Sequence, residues 1–530
     1  MTNTGSSSDR SLYGTVGTAT ESESVLETET ACRDALGNGD IPVAVYGLGK
    51  MGLPLASVFA EVTGAVTGVD IDPAVVETVN DGSSHVLGEP GLEELVAEQV
   101  ETNRLAATTD GYRAARDARI HVVIVPTEIT EGDTESDSQP DRSRTTDLSS
   151  ATDPSSATDP SSATDPSSVK PDLSTVQAVL EVIAAGLDPG DLVIVESTLP
   201  PGTCRDLIYP YLLEESGLEA GSFGLAFCPE RTASGSALDD IRGAYPKVVG
   251  GIDAESGRAA ALLYDELSSN AVHLVSDATT AEAVKVFEGV YRDVNIALAN
   301  QLAGTAADLG ISVREAIETA NNIPMCHLHD PGPGVGGHCI PYYPHFLLSQ
   351  VDTPLSLVEL ARSVNRKMPA TVVSMLEKEL DSAGTRLENA TVLVLGFTYR
   401  PGVEETRASP AIDVVDTLLE REATVWGCDP LVDPSEFGAR TVTVDELPDH
   451  AFDAAVLVTP QDAFDRIRWD AMNPMVVLDG RDVLSLEETD HHIVTLGGTR
   501  GNQPTVIDSG VNTETGTSTI GRPAAFDASE

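Results

Sequence analysis

The sequence predicts an α/β protein in which a long helix joins two doubly wound parallel sheets. Short apolar runs alternate with helix-length segments over residues 41–275 and again over residues 386–500, as in parallel sheets covered by helices. The joining helix is predicted between them, because no proline interrupts the chain from Asp277 to Leu309. A chain of 530 residues is also too long for one hydrophobic core, so several domains are expected.

The charge of the chain is unusual. It has 84 acidic and 32 basic residues and a formal net charge of −52, and arginine supplies most of the positive charge. This composition is typical of salt-adapted (halophilic) proteins, and it repels nucleic acid and anionic membranes, so we expect neither as a partner. The six cysteines show no close-paired spacing, which favours reduced thiols and a cytoplasmic location.

Composition also marks the segments outside the sheets. Residues 1–40 are predicted to be a disordered acidic tail without the apolar core of a secretory signal, and residues 501–530 a second disordered tail. Within the first domain, residues 131–168 contain three tandem copies of Ser-Ser-Ala-Thr-Asp-Pro and are predicted to be a disordered insertion. No apolar run reaches the roughly 18 residues of a membrane-spanning helix.

The first sheet begins with a dinucleotide-binding pattern. A strand over residues 41–46 leads into a Gly-x-Gly-x-x-Gly turn and a helix, which bring a helix N-terminus to a pyrophosphate. Asp70 ends the next strand, where a carboxylate accepts from ribose hydroxyls and disfavours a 2′-phosphate, so the predicted cofactor is NAD and not NADP. Thr127 follows a later strand and either contacts the cofactor or caps a turn. The turn residues predicted to bind the cofactor are Gly47, Leu48, Gly49 and Gly52.

Residues 276–385 are predicted to form a central helical region. The long helix has an apolar face that is broad enough to be buried between domains or subunits, so we expect it to make a dimer. Lys285 lies on this helix, and Arg292 follows about two turns later on the same face. Lysine is scarce here, so Lys285 is either functional or a snorkelling side chain. The predicted apolar face is Ala283, Val284, Phe287, Val290, Val294, Ile296, Leu298 and Leu302.

A glycine-rich loop in the central region presents one cysteine. The loop runs from Gly334 to Cys339, with Pro331 and Pro333 before it and Pro341 after it. The glycines let the backbone close on a ligand, and the prolines prevent a helix on either side. A thiol on such a rigid loop is typical of a catalytic nucleophile, in contrast to a packed structural cysteine.

Seven blocks, taken in order, resemble those of the nucleotide-sugar 6-dehydrogenases, the UDP-glucose/GDP-mannose dehydrogenase family. The resemblance spans residues 41–479 apart from the insertion, and it implies an NAD-binding Rossmann domain over 41–275 and a UDP-binding Rossmann-like domain over 386–500. It also implies a homodimer through the central helix. The blocks are Gly47 to Leu55, Glu196 to Thr203, Pro229 to Arg231, Thr280 to Lys285, Arg292 to Ala297, Pro331 to Pro341, and Thr398 to Pro401 with Arg407 and Ser409-Pro410.

The resemblance implies that two NAD⁺ oxidise C6 of a UDP-sugar to a carboxylate without a metal. Cys339 would be the nucleophile that forms a thiohemiacetal and then a thioester, with Lys285, Thr198 and Glu230 as the other catalytic residues. Thr198 and Arg407 would also contact the cofactor. The residues that would bind substrate are Glu230, Arg231, Lys285, Arg292, Gly334, Gly336, Gly337, Tyr399 and Arg400.

The resemblance favours a UDP-N-acetylhexosamine as substrate, with UDP-N-acetyl-D-mannosamine expected first and UDP-N-acetylglucosamine or UDP-glucose as alternatives. Three positions depart from the family pattern: Gly289 replaces an Asn, Tyr343 replaces an Asp, and Met325 replaces a common Arg. The Asn and Asp serve oxyanion stabilisation and the ordering of water, so these changes bear on thioester hydrolysis.

Three other interpretations remain open at this stage. Gly289 and Tyr343 are compatible with a catalytically weakened nucleotide-sugar binding protein. A single-step hydroxyacid or phosphogluconate dehydrogenase would share the first domain but has no use for the cysteine loop. A metal protein is suggested by six crowded side chains whose spacing fits no close zinc pattern: Cys326, His327, His329, His338, Cys339 and His345.

Overall fold

A computed structural model describes residues 11–14, 22–131, 169–232, 235–486 and 489–498. The predicted insertion beyond residue 131 and the predicted C-terminal tail lie outside these residues. Sixteen strands are described, in chain order: β1 (Val43–Tyr46), β2 (Val66–Val69), β3 (Leu105–Thr108), β4 (Ile120–Val123), β5 (Glu128–Glu131), β6 (Val169–Asp172), β7 (Leu192–Val195), β8 (Gly224–Phe227), β9 (Lys247–Gly251), β10 (Val272–Leu274), β11 (Thr391–Leu395), β12 (Thr424–Cys428), β13 (Arg440–Thr441), β14 (Ala454–Leu457), β15 (Val476–Asp479) and β16 (His492–Thr495).

The α-helices cover the two large sheets and connect them. In chain order they are α1 (Ser22–Gly37), α2 (Gly52–Thr63), α3 (Pro73–Asn80), α4 (Leu92–Glu101), α5 (Gly111–Asp117), α6 (Ser174–Ala184), α7 (Tyr209–Ser216), α8 (Ala237–Asp239), α9 (Ala254–Leu267), α10 (Ala278–Ala303), α11 (Ala306–Leu309), α12 (Val313–Ala320), α13 (Tyr343–Leu348), α14 (Ser356–Arg366), α15 (Met368–Ala383) and α16 (Pro410–Glu420). No helix among these described residues is long and apolar enough to cross a membrane.

The predicted α/β class with two doubly wound sheets is confirmed. The first sheet has the order β10-β9-β8-β7-β4-β1-β2-β3, and the second has the order β13-β12-β11-β14-β15-β16. Every pair in these sheets is parallel except β8 with β9. Strands such as β1, β4 and β7 are buried at every residue, because helices cover both faces of a parallel sheet.

The N-terminal segment differs from the predicted disordered tail. Residues 22–37 form α1, and Cys32 and Leu36 are buried in the core of the first domain. Arg33 pairs with Asp265 at 2.8 Å and also with Glu266, both on α9. The helix was not predicted because Ser and Glu dominate the composition, although Cys32 and Leu36 are spaced by one helical turn.

The long helix α10 begins where predicted, because Asp277 accepts a hydrogen bond from the Thr280 N–H at 2.7 Å. It ends at Ala303, before the predicted limit, and the short α11 follows. The predicted apolar face is only partly buried, since Phe287 is 56% exposed and Leu298 is 46% exposed. The buried face instead carries small and polar residues that pack against the helices α13 and α14.

Candidate active site

The glycine turn after β1 leaves room for a pyrophosphate. Gly47 has a φ of 95°, and a Cβ added there would collide with the Ile124 carbonyl. A Cβ added to Gly49 would meet no atom within 4 Å, so this glycine faces open space. α2 then begins at Gly52, and no side chain caps its first N–H groups. Open space before uncapped N–H groups suits an anionic ligand.

The predicted ribose contact lies beside this turn. The Asp70 carboxylate accepts from the Leu48 N–H at 2.8 Å and from the Asp72 N–H at 3.0 Å, which fixes it at the end of β2. The buried Thr127 Oγ1 has no hydrogen-bond partner in the described part of the chain. A buried hydroxyl without a partner fits the predicted cofactor contact of Thr127. These residues therefore fit NAD.

The cysteine loop packs against the second domain through its glycines. A Cβ added to Gly336 would lie 2.7 Å from the Tyr399 Cβ, and one added to Gly334 would lie 2.9 Å from the Pro410 Cβ. Gly337, with a φ of 83°, donates its N–H to the Arg407 carbonyl at 2.9 Å. The loop glycines, predicted to bind substrate, thus also let the second domain approach the cysteine.

Glu405 of the second domain was not predicted from the sequence. Its carboxylate lies 3.3 Å from Lys50 Nζ in the glycine turn, 3.3 Å from His338 Nδ1 and 3.6 Å from Arg407 Nε. Burial acts to raise the pKa of Glu405, but His338 and two further cations lower it to about 2. This cluster brings Arg407, the predicted cofactor contact, to the glycine turn. Arg400, a predicted substrate contact, is exposed.

The buried Lys285 pairs with the partly buried Glu230. The Lys285 ammonium donates to the Glu230 carbonyl and lies 3.6 Å from the Glu230 carboxylate. Burial acts to raise the pKa of Glu230, but the Lys285 charge and hydrogen bonds from Thr232 outweigh burial and lower it. Only 8% of the Lys285 side chain is exposed, so its ammonium does not snorkel to solvent. This burial favours a functional role for Lys285.

Tyr343 connects the four predicted catalytic residues. Its hydroxyl lies 3.1 Å from Thr198 Oγ1, its ring centroid lies 5.8 Å from Lys285 Nζ, and its N–H donates to the Cys339 carbonyl at 3.0 Å. Lys285 in turn holds Glu230. The structure thus brings a thiol, an ammonium, a carboxylate and a hydroxyl together beside the carboxyl ends of β7 and β8. These are the groups that addition of a thiol to a carbonyl and hydrolysis require.

Two predicted substrate-binding arginines meet at Glu288, one turn after Lys285, the predicted catalytic lysine of α10. Arg231 NH2 lies 2.7 Å from the Glu288 carboxylate, and Arg292 Nε donates to the Glu288 carbonyl at 3.4 Å. Glu288 was not predicted from the sequence. Both arginines are partly exposed, so their guanidinium groups can donate further hydrogen bonds to anionic or polar groups of a ligand.

The crowded histidines and cysteines do not form a metal site of the usual kind. Among the described residues, no group of three His, Cys, Asp or Glu side chains has the geometry to hold a metal ion.

The three parts of the chain match one family. The UDP-glucose/GDP-mannose dehydrogenase family matches with its NAD binding domain over residues 41–153 and 144–268, its central domain over residues 279–367, and its UDP binding domain over residues 393–486. The chain belongs to this family. It is therefore an NAD-dependent nucleotide-sugar dehydrogenase, with NAD as its cofactor and a UDP-binding domain at its C-terminal end.

Curated relatives match most of the chain. It is 32% identical over 449 residues to the UDP-N-acetyl-D-mannosamine dehydrogenase of Pyrococcus horikoshii. The aligned residues cover 83% of this chain and 96% of the relative. It is 30% identical over 457 residues to the NDP-N-acetyl-D-galactosaminuronic acid dehydrogenase of Ralstonia nicotianae, over 84% of this chain and 96% of the relative.

Solved structures of the family have the same fold. UDP-D-ManNAc dehydrogenase from Pyrococcus horikoshii superposes with a TM-score of 0.74 at 30% identity, over 86% of this chain and 99% of that one. A UDP-glucose dehydrogenase from Pyrobaculum islandicum superposes with a TM-score of 0.70 at 25% identity, over 86% of this chain and 98% of that one. The family fold thus extends over both sheets and the central helix.

Proposed function

We propose that this dehydrogenase oxidises C6 of UDP-N-acetyl-D-mannosamine to a carboxylate through a covalent intermediate on Cys339. The observation that carries the proposal is the meeting of Cys339, Lys285, Glu230 and Thr198 around Tyr343. The relatives named for N-acetylated sugars support this substrate class. UDP-N-acetylglucosamine and UDP-glucose remain the alternative substrates.

Each residue has a part that follows from its chemistry. NAD⁺, which the glycine turn and Asp70 would hold, would supply the hydride acceptor for each of the two oxidations. The Cys339 thiolate adds to the aldehyde carbon and forms a thiohemiacetal, whose oxidation leaves a thioester. The Lys285 ammonium stabilises the oxyanion of the alcohol and of each tetrahedral state. Because its pKa is lowered, the Glu230 carboxyl is ionised at neutral pH and can accept a proton from water.

The substrate is tested by incubating the protein in molar KCl with NAD⁺ and one UDP-sugar at a time. The sugars are UDP-N-acetyl-D-mannosamine, UDP-N-acetylglucosamine, UDP-N-acetylgalactosamine and UDP-glucose, and product mass is followed with NADH. We expect the highest kcat/KM with UDP-N-acetyl-D-mannosamine. A higher value with another sugar would replace the proposed substrate, and binding of all four without turnover would favour the binding-protein interpretation.

We also propose a homodimer through the central helix. Phe287, Tyr291 and Leu298 of α10 are exposed along one side, and Leu357 and Leu360 of α14 are exposed as well. Large apolar side chains in rows on adjacent helices favour a protein interface. Light scattering in molar KCl should give twice the chain mass, and the chain mass in a Phe287→Glu variant. A wild-type protein with the mass of one chain would contradict the proposed dimer.

The cytoplasmic location of the protein stays a prediction.

A further inference from the structure

The tyrosine at the centre of the site is held rigidly. Tyr343 begins α13, is 5% exposed, and packs in a small apolar cluster with Ile129, Val286 and Phe346. Its backbone N–H donates to the Cys339 carbonyl at 3.0 Å, so the phenol and the thiol belong to one tight turn. A side chain fixed in this way acts at a defined place.

The hydroxyl of Tyr343 has two polar neighbours. It lies 3.1 Å from Thr198 Oγ1, and Cys339 packs against the apolar cluster to which Tyr343 belongs. A thiolate accepts hydrogen bonds and cannot donate them, while a threonine hydroxyl can do either. The arrangement that satisfies both neighbours is therefore a chain in which Thr198 donates to Tyr343 and Tyr343 donates to the sulfur.

The phenol keeps its proton at neutral pH. Burial, and then the nearby Cys339 thiol, raise the pKa of Tyr343 well above its usual value. Tyr343 is therefore a hydrogen-bond donor in the site and not a base. The base for water has to be another group, and Glu230 is the carboxylate that Lys285 keeps ionised.

Gly289 makes the space for this ring. A Cβ added to Gly289 would meet the Tyr343 ring and would lie 2.9 Å from the Tyr343 Cβ. Gly289 lies inside α10, one turn after Lys285, and a glycine inside a helix is destabilising relative to alanine. The helix thus contains a destabilising residue at the position where any larger one would displace Tyr343.

We infer that Tyr343 is a further catalytic residue, whose hydroxyl donates to the sulfur of Cys339 and whose ring occupies the space beside Gly289. The inference rests on the proposed thiol chemistry. When the thioester is hydrolysed, the water oxygen bonds to the acyl carbon, the C–S bond breaks, and its electron pair stays on sulfur. Tyr343 stabilises that sulfur anion, while the proton of the attacking water passes to Glu230.

A substrate-free experiment tests the hydrogen bond. The variant Tyr343→Phe removes only the hydroxyl, and Tyr342→Phe removes the hydroxyl of the neighbouring buried tyrosine as a matched control. Each full-length protein is labelled with iodoacetamide at pH 7, and labelling of Cys339 is compared with that of the partly exposed Cys326 by peptide mass spectrometry. Circular dichroism and NAD⁺ affinity establish that each variant is folded.

We expect Cys339 labelling to slow roughly fivefold in Tyr343→Phe, because the Cys339 thiolate loses a hydrogen-bond donor and is formed less often. The higher nucleophilicity of the remaining thiolate compensates only part of this loss in rate. Cys326 labelling should stay the same in both variants, and Cys339 labelling should stay the same in Tyr342→Phe. Equal Cys339 labelling in wild type and Tyr343→Phe would overturn the inference.

A double-mutant cycle tests the role of Gly289. Gly289→Ala should slow Cys339 labelling in the wild type by displacing the ring, and should have no further effect in a Tyr343→Ala background. If Gly289→Ala slowed Cys339 labelling equally in both backgrounds, the inference that Gly289 leaves room for the Tyr343 ring would be overturned. With substrate, Tyr343→Phe should accumulate the thioester on Cys339. If no UDP-sugar is oxidised while the labelling difference persists, the proposed function fails and the hydrogen bond stands.

Discussion

Replacing Lys285 by methionine tests the electrostatics of the site. Methionine keeps most of the buried apolar stem and removes the charge, which lies 3.6 Å from the Glu230 carboxylate. At that separation and an effective dielectric constant of about 20, the attraction between the two charges is about 5 kcal/mol. An oxyanion at a similar distance from Lys285 would be stabilised by a comparable amount, part of which is offset by its loss of solvation.

We therefore expect Lys285→Met to lower kcat about a thousandfold, near the upper end of the roughly 10²- to 10³-fold effects of removing one oxyanion donor. KM should change much less, because the charge acts mainly on the transition state. Loss of the Lys285 charge should also raise the pKa of the Glu230 carboxyl, because that charge is the largest of the contributions that lower it.

The assay is NADH formation from UDP-N-acetyl-D-mannosamine at saturating NAD⁺ in molar KCl. Lys378→Met serves as the matched control, since Lys378 is exposed on α15 and should leave kcat unchanged. A Lys285→Met enzyme that keeps more than a tenth of the wild-type kcat would refute the assigned role of the lysine.

Four further predictions concern stability and the cofactor. Arg362→Met should lower the free energy of unfolding by about 3–5 kcal/mol, because it leaves the fully buried Asp293 without its cation, whereas Asp293→Leu with Arg362→Met should approach wild type in chemical denaturation. Asp70→Ser should weaken NAD⁺ binding about tenfold and narrow the preference over NADP⁺, as titration calorimetry would measure; unchanged selectivity would reject the ribose contact. Glu405→Gln should lower the melting temperature near pH 6. The lowered pKa of Glu405 stabilises the fold at pH values above about 4.5, the ordinary pKa of a glutamate, so the difference from wild type should shrink as the pH falls from 4.5 toward 2. The melting temperature should also rise between about 0.1 M and about 1 M KCl, over which the screening length falls from about 10 Å to about 3 Å; a flat salt profile would contradict salt adaptation.

Local patterns predict those candidate site residues that lie close together in sequence. The glycine turn, Asp70 and the cysteine loop each depend on a few neighbouring residues whose backbone needs are specific. The order of short apolar runs likewise predicted both sheets. The antiparallel direction of β9 relative to β8 was missed, because the apolar pattern of a short strand does not indicate its direction.

Contacts between distant segments explain what the sequence did not predict. Glu405 joins Lys50 and His338 across two domains, and no local pattern marks a glutamate for such a role. Gly289 and Tyr343 are two separate departures from the family pattern in the sequence, but their complementarity depends on the packing of α13 against α10. The exposure of Phe287 also depends on which helices cover α10, and helical periodicity alone does not determine that.

The covalent route through Cys339 is tested most directly by counting electrons and trapping the adduct in one experiment. The protein is mixed with NAD⁺ and UDP-N-acetyl-D-mannosamine, quenched at intervals with acid, and examined for NADH, for product and for the intact mass of the chain. We expect two NADH for each carboxylate product and a transient sugar adduct on Cys339, with no adduct in Cys339→Ser. One NADH for each sugar with a free aldehyde, and no adduct at any time, would contradict the thioester route.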